Sequence, residues 1–307
     1  MGCTIICPTY NAGVLWEQWI KAVKSQKNVE FQVLIIDSCS KDETVIKSKE
    51  AGFEILEIPQ EEFNHAGTRN RAAKYAIKNF NTNFLVFLTQ DAILSSDTSL
   101  ASILEDFKKE DIAAVCGRQQ PHEDADPVAK HSRAFNYLSV SKINSKEDID
   151  RIGLKAAYMS NSFAAYRSTS FFYIGGFPEG LIFGEDMFLA AKFLLAGFKT
   201  SYNAEAVVSH SHNYTLNEEF RRYFDIGVFH SSQPFLLENF GKPTGEGFKF
   251  ALSEFKYCLR KGNLFWGVNS IMRTGLKFVG YKLGKSHAKF PNSLCKTLSM
   301  DKNYWKK

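Results

Sequence analysis

Cysteine is sparse and poorly spaced for any scaffold. The 307-residue chain holds six, at positions 3, 7, 39, 116, 258 and 295, and no two form a CxxC pair. Closely spaced thiolate pairs make structural zinc sites, and a regular cysteine framework staples small secreted domains. With neither present, free thiols in a reducing compartment are expected. Uninterrupted apolar runs of about 18 residues, the length a membrane-spanning helix needs, are also missing. Even Leu181 to Gly197 is broken by Glu185, Asp186 and Lys192. Met1 leads straight into Thr4-Ile5-Ile6-Cys7, without the basic start, long apolar stretch and small-residue cleavage site of a secretory signal. A cytoplasmic location is therefore expected. No G-x-G-x-x-G turn follows the first apolar run, which argues against a nicotinamide-dependent oxidoreductase. Internal repeats and nucleic-acid-binding motifs are lacking too.

What is there begins with charge. The chain carries a net +5, yet residues 242–307 alone hold 14 Lys and Arg against three acids, a net +11, so the preceding body is acidic at −6. An acidic body repels phosphate, which disfavours nucleic acid. The basic tail instead reads as a contact for an anionic membrane surface. Within it, Val268, Met272, Leu276, Val279 and Leu283 recur at helical spacing, with Asn269, Ser270, Arg273 and Lys277 on the other side. Trp266, Tyr281 and Trp305 lie nearby. Such a helix either packs on the body or lies peripherally on an anionic leaflet.

The first half alternates short apolar runs with helical stretches, as a βαβ sheet requires. The expected strands are Cys3 to Cys7, Phe31 to Asp37, Phe53 to Ile58, Phe84 to Thr89 and Ile112 to Gly117. The expected helices between them are Leu15 to Ser25, Thr44 to Glu50, Arg69 to Lys78 and Leu100 to Lys108. Runs such as Val33-Leu34-Ile35-Ile36 are apolar on both faces, as in a parallel sheet covered on each side. Ser40-x-x-Glu43 and Thr215-x-x-Glu218 match the reciprocal capping box of a helix start. Residues 119–132, rich in Pro, His, Asp and Glu without periodicity, read as a loop over the sheet edge. From Thr215 onward the pattern is helical, with a break expected at 241–247.

Open parallel sheets bind ligands beyond the carboxyl ends of their strands, and here those ends are polar. The first strand ends in Pro8-Thr9-Tyr10-Asn11, the second in Asp37-Ser38-Cys39-Ser40-Lys41-Asp42, and the fourth in Gln90-Asp91-Ala92. Singly, these are ordinary turn and cap residues. Together they set carboxylates and small polar groups around one crevice.

These residues carry a resemblance. Pro8-Thr9-Tyr10-Asn11, Asp37-Ser-x-Ser-x-Asp42-x-Thr44 and the acid pair Glu185-Asp186 resemble the large family of inverting glycosyltransferases with the GT-A fold. Phe63-x-His65-Ala66-Gly67-Thr68-Arg69-Asn70, Thr89-Gln90-Asp91-Ala92 and Ser209-His210-Ser211-His212-Asn213-Tyr214-Thr215 are similar to bacterial rhamnosyltransferases of surface-polysaccharide (O-antigen or capsule) assembly. The likeness covers roughly residues 3 to 232. It implies an α/β, GT-A-type (Rossmann-like), mostly parallel sheet flanked by helices. Residues 1–240 would form the catalytic domain, and 241–307 a basic helical extension.

The resemblance also implies roles. Asp37 would accept a hydrogen bond from the pyrimidine base, beside the Pro8, Thr9 and Tyr10 backbone. Asp91 matches the last acid of an Asp-x-Asp motif holding Mg²⁺ or Mn²⁺ on the donor diphosphate. Gln90 replaces the first acid and removes one anionic ligand. His210 falls where relatives place a metal or diphosphate histidine, with His212 beside it. A helix starting at Arg69 would aim N–H groups and a guanidinium at the pyrophosphate, with Gly67 allowing close approach and His65 either contacting sugar or capping that helix. Asp186 would be the general base, and Glu185 would support it or bind acceptor hydroxyls. Arg221, Arg222 and His212 are further diphosphate candidates. The implied donor is dTDP-rhamnose or another nucleotide-sugar, such as a UDP-hexose, UDP-N-acetylhexosamine or UDP-galactofuranose. The implied acceptor is a saccharide, on a polyprenyl carrier if the tail meets a membrane.

Overall fold

A computed structural model describes residues 2–241, 246–260 and 264–306. Its nine strands are β1 (Cys3–Thr9), β2 (Phe31–Asp37), β3 (Glu54–Glu57), β4 (Phe84–Leu88), β5 (Ile93–Leu94), β6 (Ile112–Gln120), β7 (Lys142–Asn144), β8 (Phe163–Arg167) and β9 (Lys199–Ser209). Its helices are α1 (Trp16–Lys24), α2 (Thr44–Glu50), α3 (His65–Asn79), α4 (Ser99–Glu105), α5 (Pro127–Asn136), α6 (Ile149–Ile152), α7 (Ser168–Tyr173), α8 (Glu185–Leu195), α9 (Leu216–Ser232), α10 (Pro234–Phe240), α11 (Glu246–Arg260), α12 (Leu264–Lys285) and α13 (Asn292–Leu298).

The sheet order is β3-β2-β1-β4-β8-β6-β9-β5, with β7 also on β9. β1, β2, β3 and β4 pair in parallel, and β8 inserts antiparallel between β4 and β6. β6 and β9 are parallel to each other, so β1, β2, β4, β6 and β9 all run the same way. Their carboxyl ends therefore gather along one edge, where a crevice forms. Alternate strand residues feed two apolar layers: Ile6, Leu34, Ile36 and Phe87 on one face, Ile5, Val33, Ile35 and Val86 on the other. This two-sided burial is the physical reason the strands read as continuous apolar runs.

Several expectations are corrected locally. The loop expected over residues 119–132 shrinks to 121–126: β6 continues to Gln120, and α5 begins at Pro127 behind an Asp126 cap whose side chain accepts from Ala129 N–H. Ser40 caps no helix, because Asp37 captures its hydroxyl, and α2 starts at Thr44 with no side-chain cap. α3 starts at His65 rather than Arg69, capped by Asn64, which accepts from Gly67 N–H at 2.6 Å. Gly67 leaves room for that cap: a Cβ there would meet the Asn64 side chain at 2.8 Å. The Thr215 to Glu218 capping box forms as expected. Most of the expected break at 241–247 lies outside the described residues.

The tail also differs from its sequence pattern. α12 packs on α9 chiefly through Arg273, Gly280 and Gly284, and on α11 through Gly267, while of its apolar row Leu283 is partly buried against the core. The glycines permit backbone contact, since a Cβ on Gly284 would overlap Phe224 O and one on Gly280 would sit 2.5 Å from Phe220 O. Arg273 reaches Glu219 at 3.2 Å, and Lys277 lies 3.5 Å from Glu219 and Glu254, a buried charge network under the helix. Val268, Met272 and Val279 face outward instead.

Candidate active site

At the ends of β1 and β2 the chain makes one hydrogen-bonded loop system. Asp37 is fully buried; its Oδ2 accepts from Thr9 Oγ1 at 2.8 Å and Ser40 Oγ at 2.6 Å, and its Oδ1 from Ser40 N–H at 2.8 Å. Three of its roughly four lone-pair directions are thus taken by protein. Asn11 and Cys39 adopt left-handed backbone (φ +46° and +61°). Asn11 ties the loops by donating N–H to Ser40 Oγ and accepting from Lys41 N–H. Asp42 accepts from Gly13 N–H at 3.0 Å. Gln90 is explained here: its Oε1 accepts from Tyr10 N–H at 2.9 Å and its Nε2 donates back to Tyr10 O at 3.3 Å. The amide that replaces an acid therefore clamps strand ends. Pro8 and Thr9 lie within β1, which runs two residues past its expected end at Cys7, and Tyr10 follows it, exposed.

One step along the edge, Asp91 meets the end of β9. His210 Nε2 lies 3.4 Å and His212 Nε2 3.7 Å from Asp91 Oδ2, and one ligand atom from each of the three residues falls within 4.8 Å of the others. Burial works to raise the Asp91 carboxyl, but the hydrogen bond and charge of His210 outweigh it and hold it below its ordinary range. Burial, then the neighbouring His210, pulls His212 down to about 4. A carboxylate and two imidazoles converging on one point fit a divalent ion. Imidazole nitrogen suits Mn²⁺ better than Mg²⁺, which prefers oxygen.

Opposite this cluster, α8 opens with Glu185 and Asp186 in its first turn, where acids suit the helix dipole. Gly184 before them has φ +78°, and a Cβ there would strike the Phe229 ring at 2.9 Å, so only glycine allows this entry. Arg69 lies buried one turn inside α3, 3.1 Å from Glu185 Oε1, while its Nη1 also donates to His65 O at 2.9 Å. Its Nη1 is thus held by Glu185 and His65, and the side chain lines the cavity from one turn inside the helix rather than from its start. His65 does not cap the helix and lines the cavity beside these groups.

Asp186 receives two backbone donors, Asn161 N–H to Oδ2 at 2.9 Å and Met187 N–H to Oδ1 at 2.8 Å. Burial foremost, and the Glu185 charge next, raise its carboxyl to about 6. Burial would raise Glu185 as well, but Arg69 and His65 more than offset it and leave Glu185 lowered.

A cavity of about 1300 Å³ joins these parts. Its wall runs from Asp91, His210 and His212 past Arg69, Glu185 and Asp186 to Tyr158, Phe240 and Lys249. Arg222 lines it, stacked 4.3 Å over the Phe183 ring, whereas Arg221 is not among the lining residues. Three contributors, Asn161, Gln119 and Arg133, were not among the residues expected from sequence. Asn161 donates its side-chain amide to Glu185 at 3.3 Å and is itself fixed by Tyr166 Oη at 2.8 Å. Gln119 contacts His210 from β6. Arg133 lines the cavity and donates to His210 O at 2.7 Å. The Asp126-Pro127 pair, an N-cap acid before a first-turn proline, was the readable cue for the helix that carries Arg133.

Comparison with known proteins agrees with this geometry. Residues 4–173 match Glycosyl transferase family 2. The chain is 49% identical over 306 residues to the O-antigen chain rhamnosyltransferase RfbN of Salmonella typhimurium, covering 99% of this chain and 96% of that protein. It is 48% identical to the O-antigen chain rhamnosyltransferase WbaN of Salmonella anatum, over 98% and 95% of the two chains. Among solved structures, the mannosyltransferase PcManGT of Pyrobaculum calidifontis, in complex with GDP-Man and Mn²⁺, aligns with a TM-score of 0.57 at 16% identity, over 99% of this chain and 84% of that one. TarS 1–349 of S. aureus with UDP-GlcNAc aligns with a TM-score of 0.53 at 16% identity, over 98% and 84%. These structural likenesses speak for the GT-A fold.

Proposed function

The chain belongs to glycosyl transferase family 2, and from that premise we propose how its site transfers a sugar. It is a glycosyltransferase of the rhamnosyl-transferring, O-antigen-building kind. The finer reading is inverting transfer of L-rhamnose from dTDP-β-L-rhamnose to a saccharide acceptor. One observation carries the inverting mechanism, namely that a raised carboxyl, Asp186, shares a single cavity with the Asp91, His210 and His212 cluster, and the likeness to rhamnosyltransferases supports the sugar.

In this reading Pro8, Thr9, Tyr10 and Asp37 frame the base, with Asp37 acting mainly by fixing the loop through Thr9 and Ser40. Asp91, His210 and His212 would hold Mn²⁺ or Mg²⁺. When bound, that ion supplies neutralisation of charge building on the departing diphosphate. Arg222 adds a cation from the α9 side. Asp186 takes the proton of the acceptor hydroxyl as its oxygen forms a bond to the anomeric carbon and the carbon–phosphate-oxygen bond breaks. Glu185, locked by Arg69 and Asn161, keeps the acceptor side anionic and orients hydroxyls. With one base and no covalent intermediate, the anomeric centre inverts.

The functional division would be a catalytic body, 1–240, and a basic tail, 241–307, that meets an anionic membrane surface and so a polyprenyl-linked acceptor. What supports this is the outward apolar row of α12: Phe265 is 67%, Ile271 58% and Phe278 63% exposed, beside the tail's excess of lysine. A second copy of the chain fits that surface less well, because pairing would oppose two strongly positive tails. Among the described residues no helix is long and apolar enough to cross a membrane.

Calorimetric titration of dTDP-rhamnose, UDP-glucose and UDP-N-acetylglucosamine, with and without Mn²⁺, tests the donor. Tighter Mn²⁺-dependent binding of dTDP-rhamnose, weakened in Asp91→Ala, is expected. Preference for a UDP-sugar would keep the mechanism and discard the donor.

A further inference from the structure

We propose that Gln119 is a positioning residue that sets the His210 ring for metal binding and braces it against the segment that orients Asp186. This rests on the metal reading above. Gln119 is 3% exposed in β6, in the stretch whose composition suggested a loop. Its Oε1 lies 2.9 Å from His210 Nδ1 and its Nε2 donates to Ser160 Oγ at 2.9 Å.

A neutral imidazole has one N–H and one lone pair, and an amide oxygen can only accept. In the neutral ring Nδ1 must therefore carry the proton, which leaves the Nε2 lone pair for a metal ion. Nε2 lies 3.4 Å from Asp91 Oδ2, close enough for one cation, a proton or a metal ion, to be shared between them. The His210 backbone is also held at both ends, its N–H by Gln120 O at 2.7 Å and its carbonyl by Arg133 Nε at 2.7 Å. The ring's torsion is what remains to be fixed, and Gln119 fixes it.

The other end of the amide reaches across the cavity floor. Ser160 precedes Asn161, whose N–H donates to Asp186 and whose side chain donates to Glu185. One side chain thus connects the metal-ligand half of the site to the proton-accepting half.

The test uses the full-length protein with Mn²⁺ alone as probe, followed by calorimetry in wild type, Gln119→Leu and Gln119→Glu, with ¹⁵N NMR of the histidine tautomers. Outer-shell partners of ligating histidines typically contribute on the order of 10- to 100-fold in metal affinity. Gln119→Leu should weaken Mn²⁺ by that amount while dTDP affinity in metal-free buffer stays unchanged. Gln119→Glu keeps an oxygen acceptor for Nδ1 and should recover most of the loss. Wild-type His210 should show the Nδ1–H tautomer. An Nε2–H tautomer, or equal Mn²⁺ affinity in wild type and Gln119→Leu, overturns the role of Gln119 while leaving the metal site standing. A wild type that binds no Mn²⁺ overturns the metal reading and this inference with it. If Gln119→Leu does not fold, the Glu variant and the wild-type tautomer decide.

Discussion

The two acids at the head of α8 face opposite demands, and single neighbours settle each. Glu185 is paired with Arg69 and stays ionised, whereas Asp186 has only two backbone donors and an adjacent negative charge, so its carboxyl rises to about 6. Splitting a carboxyl pair in this way is how a site obtains a base matched to neutral pH. Transfer should therefore rise with pH through about 6, as Asp186 ionises. Asp186→Asn should lose about 10²- to 10⁴-fold in turnover with donor affinity retained; full activity would remove Asp186 from the chemistry. The stability sign follows from the same rise. Native Asp186 binds its proton more tightly than in the unfolded chain, so its contribution is complete below the ordinary 3.8 and declines as pH rises through about 6. Melting wild type and Asp186→Asn at pH 4 and pH 7 should show wild type losing ground to the variant, by at most about 3 kcal/mol. At this scale, charged residues were the legible ones: Asp91, His210, His212, Glu185 and Asp186 stood out by type and order. Asn161 and Gln119 did not, because a neutral amide has no pattern of its own and acquires its role only when distant strands bring it to the site.

Among the elements, the parallel strands were legible because a strand buried on both faces must be apolar throughout. Helix starts were less so, since whether Ser40 or Asn64 caps a helix depended on which partner its side chain met: Ser40 meets Asp37 and caps none, whereas Asn64 caps α3. α12 is the clearest case. Its periodicity correctly gave an amphipathic helix, but not which face turns inward, because here glycine and paired charge outcompete the apolar row for contact with α9. Two glycines of this helix should respond oppositely. Gly284→Ala forces a Cβ into the Phe224 carbonyl and should cost about 1–3 kcal/mol. Gly275 has nothing within 4 Å, so Gly275→Ala should add about 0.5–1 kcal/mol through helix propensity. Denaturant unfolding of the two variants checks this, and a stable Gly284→Ala would contradict the close packing.

For the molecule as a whole, an acidic body carries a basic tail whose helix α12 is fixed to that body by a buried charge network and exposes Phe265, Ile271 and Phe278. Removing the tail would strip α9, so surface substitutions are the cleaner probe. Phe265→Glu with Ile271→Glu should lower partitioning onto anionic vesicles by at least about tenfold, with the fold and transfer to a water-soluble acceptor preserved. Unchanged co-sedimentation would reduce the tail to a structural element. The central claim is that this one cavity performs inverting rhamnosyl transfer, and proton NMR of the wild-type reaction with dTDP-β-L-rhamnose, Mn²⁺ and a saccharide acceptor tests it most directly. An α-linked rhamnoside, formed as the β-linked donor is consumed, is the predicted result; a β-linked product, or an untouched donor while a UDP-sugar is consumed, would contradict it.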